Sequence, residues 1–226
     1  MSTGQREVKL EDISSTSSKF ESLGGIVDLE FPEYDQPPTQ PFGLVRRWLE
    51  SATLRGVREP RALSLATADA RGIASNRIVV IISIVDQGLV FASHSDSQKG
   101  REMAETGWAS GLLYWRETGQ QLILSGPVAP LPEAESDALW SARPIPLHAM
   151  SSVSHQSAPL KDVAALRAAS ARLEQQHRAL PRPKSYVGYC LQPAVVEFWC
   201  AASDRLHRRL RYDLGPDGWQ TSLLQP

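Results

Sequence analysis

Hydrophobic residues follow two different rhythms along the chain. After Thr39, the residues Leu44, Val45, Trp48, Leu49 and Ala52 recur at helical spacing, with Arg46, Arg47 and Glu50 between them. One face is therefore apolar, and the spacing predicts a helix with Thr39 as its cap and Pro41 in its first turn. Beyond it the period shortens. Ala62–Thr67, Ala74–Val85, Leu89–Ser93, Trp108–Trp115 and Gln120–Pro130 are rich in Val, Ile and Leu and are separated by the turn-formers Asp-Ala-Arg-Gly, Asp-Gln-Gly and Glu-Thr-Gly. These read as antiparallel strands. Between the third and fourth, the polar stretch Ser97–Thr106 predicts a short helix capped by Ser97 or Asp96. Residues 133–142 and 162–179, rich in Ala, Leu, Glu and Arg without Pro or Gly, predict two more helices, and Arg143–Leu147, with two prolines, a loop between them. The strand pattern returns at Ser185–Leu191, Ala194–Cys200 and Arg205–Leu214. A last strand around Trp219–Leu223 follows a Gly-Pro-Asp-Gly turn. The fold class this predicts is α+β, mainly antiparallel β: a closed barrel with peripheral helices.

Composition narrows the partners. With 226 residues, 42% hydrophobic and 22% charged, the chain can bury one substantial core. Residues 1–40, rich in Ser, Thr, Glu and Pro, read as a tail or a clasp, leaving 41–226 as the domain. A net charge of −1 and a pI near 6.5 provide no positive field for nucleic acid or an anionic membrane, so a small ligand is expected. Cys190 and Cys200 have neither zinc nor redox-pair spacing and read as reduced, half-buried thiols; no metal site is expected. The N-terminus lacks the apolar core of a secretion signal, and no apolar run reaches the roughly 18 residues that span a bilayer. A cytoplasmic protein is expected. No dinucleotide-binding, P-loop, nucleophile-elbow or His-Glu-x-x-His motif occurs.

The informative residues are polar ones embedded in apolar strands, because burying such a group unpaired costs about 1–3 kcal/mol. Arg77 opens the most apolar strand, and its guanidinium can face an anion across the barrel mouth or pair with a rim carboxylate. Lys99 lies in the first turn of the short helix, where free backbone N–H groups favour phosphate, although alone it reads as a solvated lysine. Gln121 and the pair Gln156-Ser157 can read the edge of a heteroaromatic ring, though each is bland singly. Near Trp199, strand alternation puts Arg205, His207 and Arg209 on one face, an arrangement that repels itself unless an anion or an acidic partner is present.

In order and spacing, Arg77-Ile-Val-Val-Ile-Ile, Gly88-Leu-Val-Phe-Ala-Ser, Ser97-Gln-Lys-Gly, Gln121, Ala142-Arg-Pro, Ser154-His-Gln-Ser, Glu197-Phe-Trp and Arg205-Leu-His-Arg-Arg resemble the motifs of the pyridoxamine-phosphate oxidase family. The resemblance covers roughly residues 40 to 226. It implies a split β-barrel homodimer with FMN at the subunit interface. Arg77 and Lys99 would hold the FMN phosphate, with Ala92, Ser93 and Gln98 beside them. Ile78, Val79, Val80 and Gln121 would line the flavin; Gln156, Ser157, Trp199 and Arg209 would come from the partner subunit. Arg205 and His207 look like a substrate-orienting pair.

Departures from the family pattern concern the substrate. Ile82 stands where the family keeps a lysine, and Leu139 and Leu147 where it keeps a phosphate-binding tyrosine and serine; Arg143 is the one phosphate ligand retained. At about 1.5–3 kcal/mol per charged hydrogen bond, vitamin B6 phosphates should bind poorly. A wider apolar pocket suits a flat, unphosphorylated polycycle. That combination is similar to the flavin oxidases of phenazine biosynthesis, which dehydrogenate partly reduced phenazine carboxylates and pass the electrons to O₂. Gln98, where relatives often carry Arg, removes one charge near the cofactor phosphate. Two other readings stay open: a pyridoxamine-phosphate oxidase with a rebuilt phosphate site, and a non-catalytic flavin-binding barrel.

Overall fold

A computed structural model describes residues 28–226 of the chain, so the tail expected over residues 1–40 lies outside the described residues as far as residue 27. Helix α1 (Pro41–Leu54) forms where the apolar stripe predicts it, although Gln40 rather than Thr39 is the N-cap and no side chain caps it. Ten strands follow: β1 (Ala62–Ala68), β2 (Ala74–Val80), β3 (Ser83–Val85), β4 (Gly88–His94), β5 (Trp108–Trp115), β6 (Gln120–Pro130), β7 (Tyr186–Leu191), β8 (Val195–Cys200), β9 (Arg208–Gly215) and β10 (Gly218–Leu223). They run in the order β10-β9-β8-β6-β5-β1-β2, with β7, β4 and β3 branching from β6. All pairings are antiparallel. The barrel is split, as the family resemblance implies, and not closed, as the strand pattern alone suggests, because β10, β2 and β3 each have one partner strand among the described residues.

Two places make the split. In β6, Gln120–Ser125 pair with β8 while Val128–Pro130 pair with β7, so one strand serves both halves. Gly126 sits at the changeover, where an added Cβ would lie 2.3 Å from the Gln192 carbonyl oxygen; only glycine allows backbones that close. The second place is 81–82. The Ile81 amide bonds to the Arg61 carbonyl on one half, and the Ile82 amide to the Val90 carbonyl on the other. The single strand expected over Ala74–Val85 is therefore broken into β2 and β3, since a chain crossing between two halves has to leave one ladder to join the next.

Helix α1 supplies the core between them. Leu44, Val45, Trp48, Leu49 and Ala52 pack with Leu63, Leu65, Phe91, Leu113, Leu122 and Phe198 in one buried cluster. Trp48 is its hub, with ring centroids 5.0 Å from both Phe31 and Phe198 and 6.3 Å from Trp115. Helices α2 (Gln98–Thr106), α3 (Glu133–Ala142), α4 (His148–Val153) and α5 (Val163–Glu174) are peripheral. Helix α4 falls just after the predicted loop, and nothing in its six-residue pattern announces it. Tertiary bonds hold it, as His148 Nε2 meets the Arg143 carbonyl at 3.0 Å and its Nδ1 accepts from the Leu180 amide at 3.2 Å. No helix among the described residues is long and apolar enough to cross a membrane, and no group of His, Cys, Asp and Glu there could hold a metal ion.

Truncating the hub should expose how much rests on it. Trp48→Ala is expected to lower the unfolding free energy by about 3–5 kcal/mol, read from denaturant midpoints at fixed protomer concentration; a loss below about 1 kcal/mol would show that α1 is not the organiser of the core.

Candidate active site

A cleft of about 520 Å³ opens between β2, β4, the N-terminal turn of α2 and the α3–α4 connection. Its polar end is built on α2. Ser97 caps that helix, accepting from the Gly100 amide at 3.2 Å and donating to the His94 carbonyl at 2.7 Å. The cap holds the first turn so that Lys99 reaches back into the cleft, its Nζ donating to Ser93 Oγ at 3.0 Å, Ser97 Oγ at 3.3 Å and Gln156 Oε1 at 3.2 Å. The Gln98 amide donates to Ser157 Oγ at 3.1 Å. Gln156 and Ser157 thus lie beside Lys99 and Gln98 within one chain.

Behind this end stands a buried ionic cluster. Glu102 on α2 accepts from Thr67 Oγ1 at 2.5 Å, Ser75 Oγ at 2.6 Å and Gln98 Nε2 at 2.8 Å. The same two hydroxyls accept from the Arg77 guanidinium at 2.5 Å each, and Arg77 Nη2 lies 3.4 Å from the Glu102 carboxylate. Burial alone would raise the Glu102 carboxyl, but the hydrogen bonds from Ser75, Thr67 and Gln98 and the charge of Arg77 outweigh it and hold the group at about 2. Burial pushes the Lys99 ammonium down, Arg77 adds to that, and Glu102 opposes it. An anion placed between Lys99 and the α2 N-terminus would relieve both effects.

The other end is mostly apolar. Ile78, Val79, Val80, Ile82, Ala92, Leu139, Ala142, Pro144 and Leu147 face the same space as Arg143, Ser151, His94 and Tyr186. Arg143 stands over the Tyr186 ring, 5.6 Å from its centroid, and donates to Ser151 Oγ at 3.3 Å. Ile82, Leu139 and Leu147, the three departures at the family's substrate-phosphate site, therefore line the same cleft as the arginine that conforms to it. His94, Ser151 and Tyr186 were not singled out from the sequence. A signal existed for His94, a polar residue at the end of the apolar run Leu-Val-Phe-Ala-Ser.

The remaining predicted residues form a second group across the sheet. Gln121 pairs in register with Trp199 and Trp199 with Arg209. His207 packs against Trp199 at 4.8 Å and accepts from the Ala202 amide through Nδ1 at 3.1 Å. None of these lines the cleft. Two expectations are corrected here. Strand β9 begins at Arg208, so Arg205 and His207 occupy a turn, Arg205 with φ of 66°, instead of alternating along a strand. Arg209 is paired with buried Glu197 at 2.7 Å, so charge repulsion on that face does not require a ligand.

Residues 49–200 match the pyridoxamine 5′-phosphate oxidase family, and residues 186–226 match the pyridoxine 5′-phosphate oxidase C-terminal dimerisation region. The chain belongs to the pyridoxamine 5′-phosphate oxidase family. Within that family it is 57% identical to a dihydrophenazinedicarboxylate synthase of Burkholderia lata, over 93% of this chain and 99% of that one. A pyridoxine/pyridoxamine 5′-phosphate oxidase of Paraburkholderia phymatum is 39% identical over 82% of this chain and 89% of that one. The similarity thus runs to the phenazine-biosynthesis branch of the oxidase family. The crystal structure of Burkholderia lata PhzG in complex with tetrahydrophenazine-1-carboxylic acid superposes with a TM-score of 0.88 over 89% of this chain and 100% of that one. The dimerisation region of the oxidase family covers β7–β10, which carry Trp199, His207 and Arg209.

Glu102 gives the site a pH signature. Its carboxyl ionises near 2 in the folded chain against an ordinary 4.5, so between those values the unfolded chain binds the extra proton and stability is lost as pH falls. The wild type is expected to lose stability between about pH 5 and 2 more steeply than Glu102→Gln, measured as denaturant midpoint against pH; parallel curves would contradict the assignment.

Proposed function

We propose that the protein is an FMN-dependent oxidase that dehydrogenates partly reduced phenazine carboxylates and passes their electrons to O₂. The observation that carries the reading is the two-ended cleft: a phosphate cradle at Lys99, and an apolar lobe whose walls are Ile82, Leu139 and Leu147 with Arg143 as their cation. The similarity to dihydrophenazinedicarboxylate synthases, and to a relative crystallised with a tetrahydrophenazine carboxylate, supports it.

The donor set fits FMN. Lys99 Nζ, Ser93 Oγ and the α2 N-terminus suit a phosphomonoester, and Arg77 behind them, paired with Glu102, braces the helix that carries them. Gln98 keeps a neutral amide there, turned onto Glu102. Ile78, Val79, Val80 and Ala92 provide an apolar wall that shields a flat ring from water, and Gln156 is within reach of its polar edge. Bound FMN would supply a two-electron acceptor that O₂ can reoxidise with release of H₂O₂. The chain's own task is orientation: Arg143 pairs with a substrate carboxylate, and the leucines and Ile82 stack the tricycle while refusing a phosphate. Aromatisation drives the reaction, so no strong acid or base is required.

A homodimer completes this reading. On β2 and just after it, Ile78, Val80 and Ile82 present an exposed apolar stripe, 63%, 59% and 43% accessible in one chain, which a second copy would cover. Gln121, Trp199, Arg209, Arg205 and His207, remote from the cleft of their own chain, would then serve the flavin and substrate at the interface.

Two outcomes are expected. Adding a reduced phenazine carboxylate anaerobically to the yellow protein bleaches the flavin absorption, and admitting O₂ restores it; a colourless protein that takes up no FMN, or a flavin that stays oxidised, would refute the proposal. Lys99→Met should weaken FMN binding by about tenfold or more, from the loss of a charged hydrogen bond of about 1.5–3 kcal/mol, while riboflavin binding stays within about twofold. Equal losses for both ligands would take the phosphate away from Lys99.

A further inference from the structure

Two polar atoms on residues lining the cleft are buried without a hydrogen-bond partner: His94 Nε2 and Arg143 Nε. Buried orphan donors cost about 1–3 kcal/mol each, more when charged, and such groups are rare unless a ligand or a reaction needs them. His94 is held firmly. It is 1% exposed, its Nδ1 lies 3.0 Å from Ser185 Oγ, and its ring meets Tyr186 edge-on at 5.9 Å. The opposite side of this arrangement is Arg143, stacked over the same Tyr186. Burial lowers the His94 pKa, with the charges of Lys99, Arg143 and His155 adding to the effect and Asp96 opposing it, so the imidazole is neutral near pH 7. If Ser185 donates to Nδ1, the ring proton sits on Nε2, which makes that atom a hydrogen-bond donor.

Arg143 has no carboxylate partner among the described residues; its one side-chain hydrogen bond goes to Ser151. The helix-lined end of the cleft therefore combines a single cation, a hydroxyl and, with Ser185 donating to Nδ1, a neutral N–H donor, surrounded by Ile82, Leu139, Leu147 and Pro144. One positive charge flanked by neutral donors suits a monoanion better than a dianionic phosphate, which needs more than one cation to offset its desolvation.

We infer that His94 is a specificity-determining residue: its Nε2–H, together with the Arg143 guanidinium, binds a carboxylate carried by the flat aromatic substrate. The inference rests on the phenazine-carboxylate reading above and assigns recognition of the acid group to β4 as well as to the α3–α4 connection. His94 acts on binding and orientation, not as an acid or base.

The test uses flavin-loaded full-length protein and two oxidised, unreactive ligands, phenazine-1-carboxylate and unsubstituted phenazine, titrated by the change in flavin absorption. His94→Phe, which keeps a ring against Tyr186 but removes the donor, should weaken the carboxylate about tenfold and phenazine by less than about twofold. His94→Gln, which retains an N–H donor, should recover carboxylate binding to within about threefold of wild type. If His94→Phe fails to retain flavin, His94→Leu takes its place with the same expectation. Equal weakening of both ligands, no weakening of either, or a His94→Gln protein as poor as His94→Phe overturns the inference and leaves the proposed function standing. A flavin-loaded wild type that binds neither ligand brings down both.

Discussion

Everything at the polar end of the cleft depends on how Arg77 and Glu102 are joined. Their direct approach is long, 3.4 Å, and the Thr67 and Ser75 hydroxyls bridge them, each accepting from the guanidinium and donating to the carboxylate. Buried charges are tolerated only when paired and fully hydrogen-bonded, and the two hydroxyls meet that requirement. The cluster ties β1 and β2 to α2. It thereby fixes the direction of the α2 N-terminus, from which Lys99 faces Ser93 and Gln156. Because Glu102 stays ionised down to about 2, it offsets the charge of Arg77 and leaves Lys99 and the helix terminus as the net positive feature that an anion meets.

Against that polar end the rest of the cleft is defined by subtraction. Ile82, Leu139 and Leu147 contribute area and shape without hydrogen bonds, so Arg143, with His94 and Ser151 beside it, decides what polar group can enter. A flat acid gains from the apolar walls over its rings and from one cation at its carboxylate. A phosphorylated pyridine would bring two charges to a place built for one. The exposed stripe of Ile78, Val80 and Ile82 and the distant Trp199–Arg209 row give the same chain an unfinished look, which a second copy of a chain with the family's C-terminal dimerisation region would complete.

Much of this was legible in the amino-acid order. Alternating apolar strands and the α1 stripe located most elements within a few residues, and Ser97 announced its own cap. The motif order located Lys99, Gln156 and Ser157, which do gather, Arg77, which lies behind them on Glu102, and Ile82, Leu139, Arg143 and Leu147, which line the same cleft. What was not legible depended on tertiary bonds. The break between β2 and β3 comes from a handover between two ladders that a uniform Val/Ile run does not display. Helix α4 exists because His148 bridges two backbone groups far apart in sequence. The turn holding Arg205 and His207 looked like strand because alternation cannot register a left-handed backbone. Glu197, lying between Val196 and Phe198, was the acidic partner that the arginine-rich strand needed, and a search for buried acids in apolar strands would have found it.

The account stands or falls on substrate preference. The most direct measurement is kcat/KM of the FMN-loaded protein on a dihydrophenazine carboxylate and on pyridoxine 5′-phosphate under air, by oxygen uptake. With several phosphate ligands replaced by alkyl groups at about 1.5–3 kcal/mol each, the predicted preference for the phenazine is about a hundredfold or more. Equal or faster turnover of pyridoxine 5′-phosphate would contradict it.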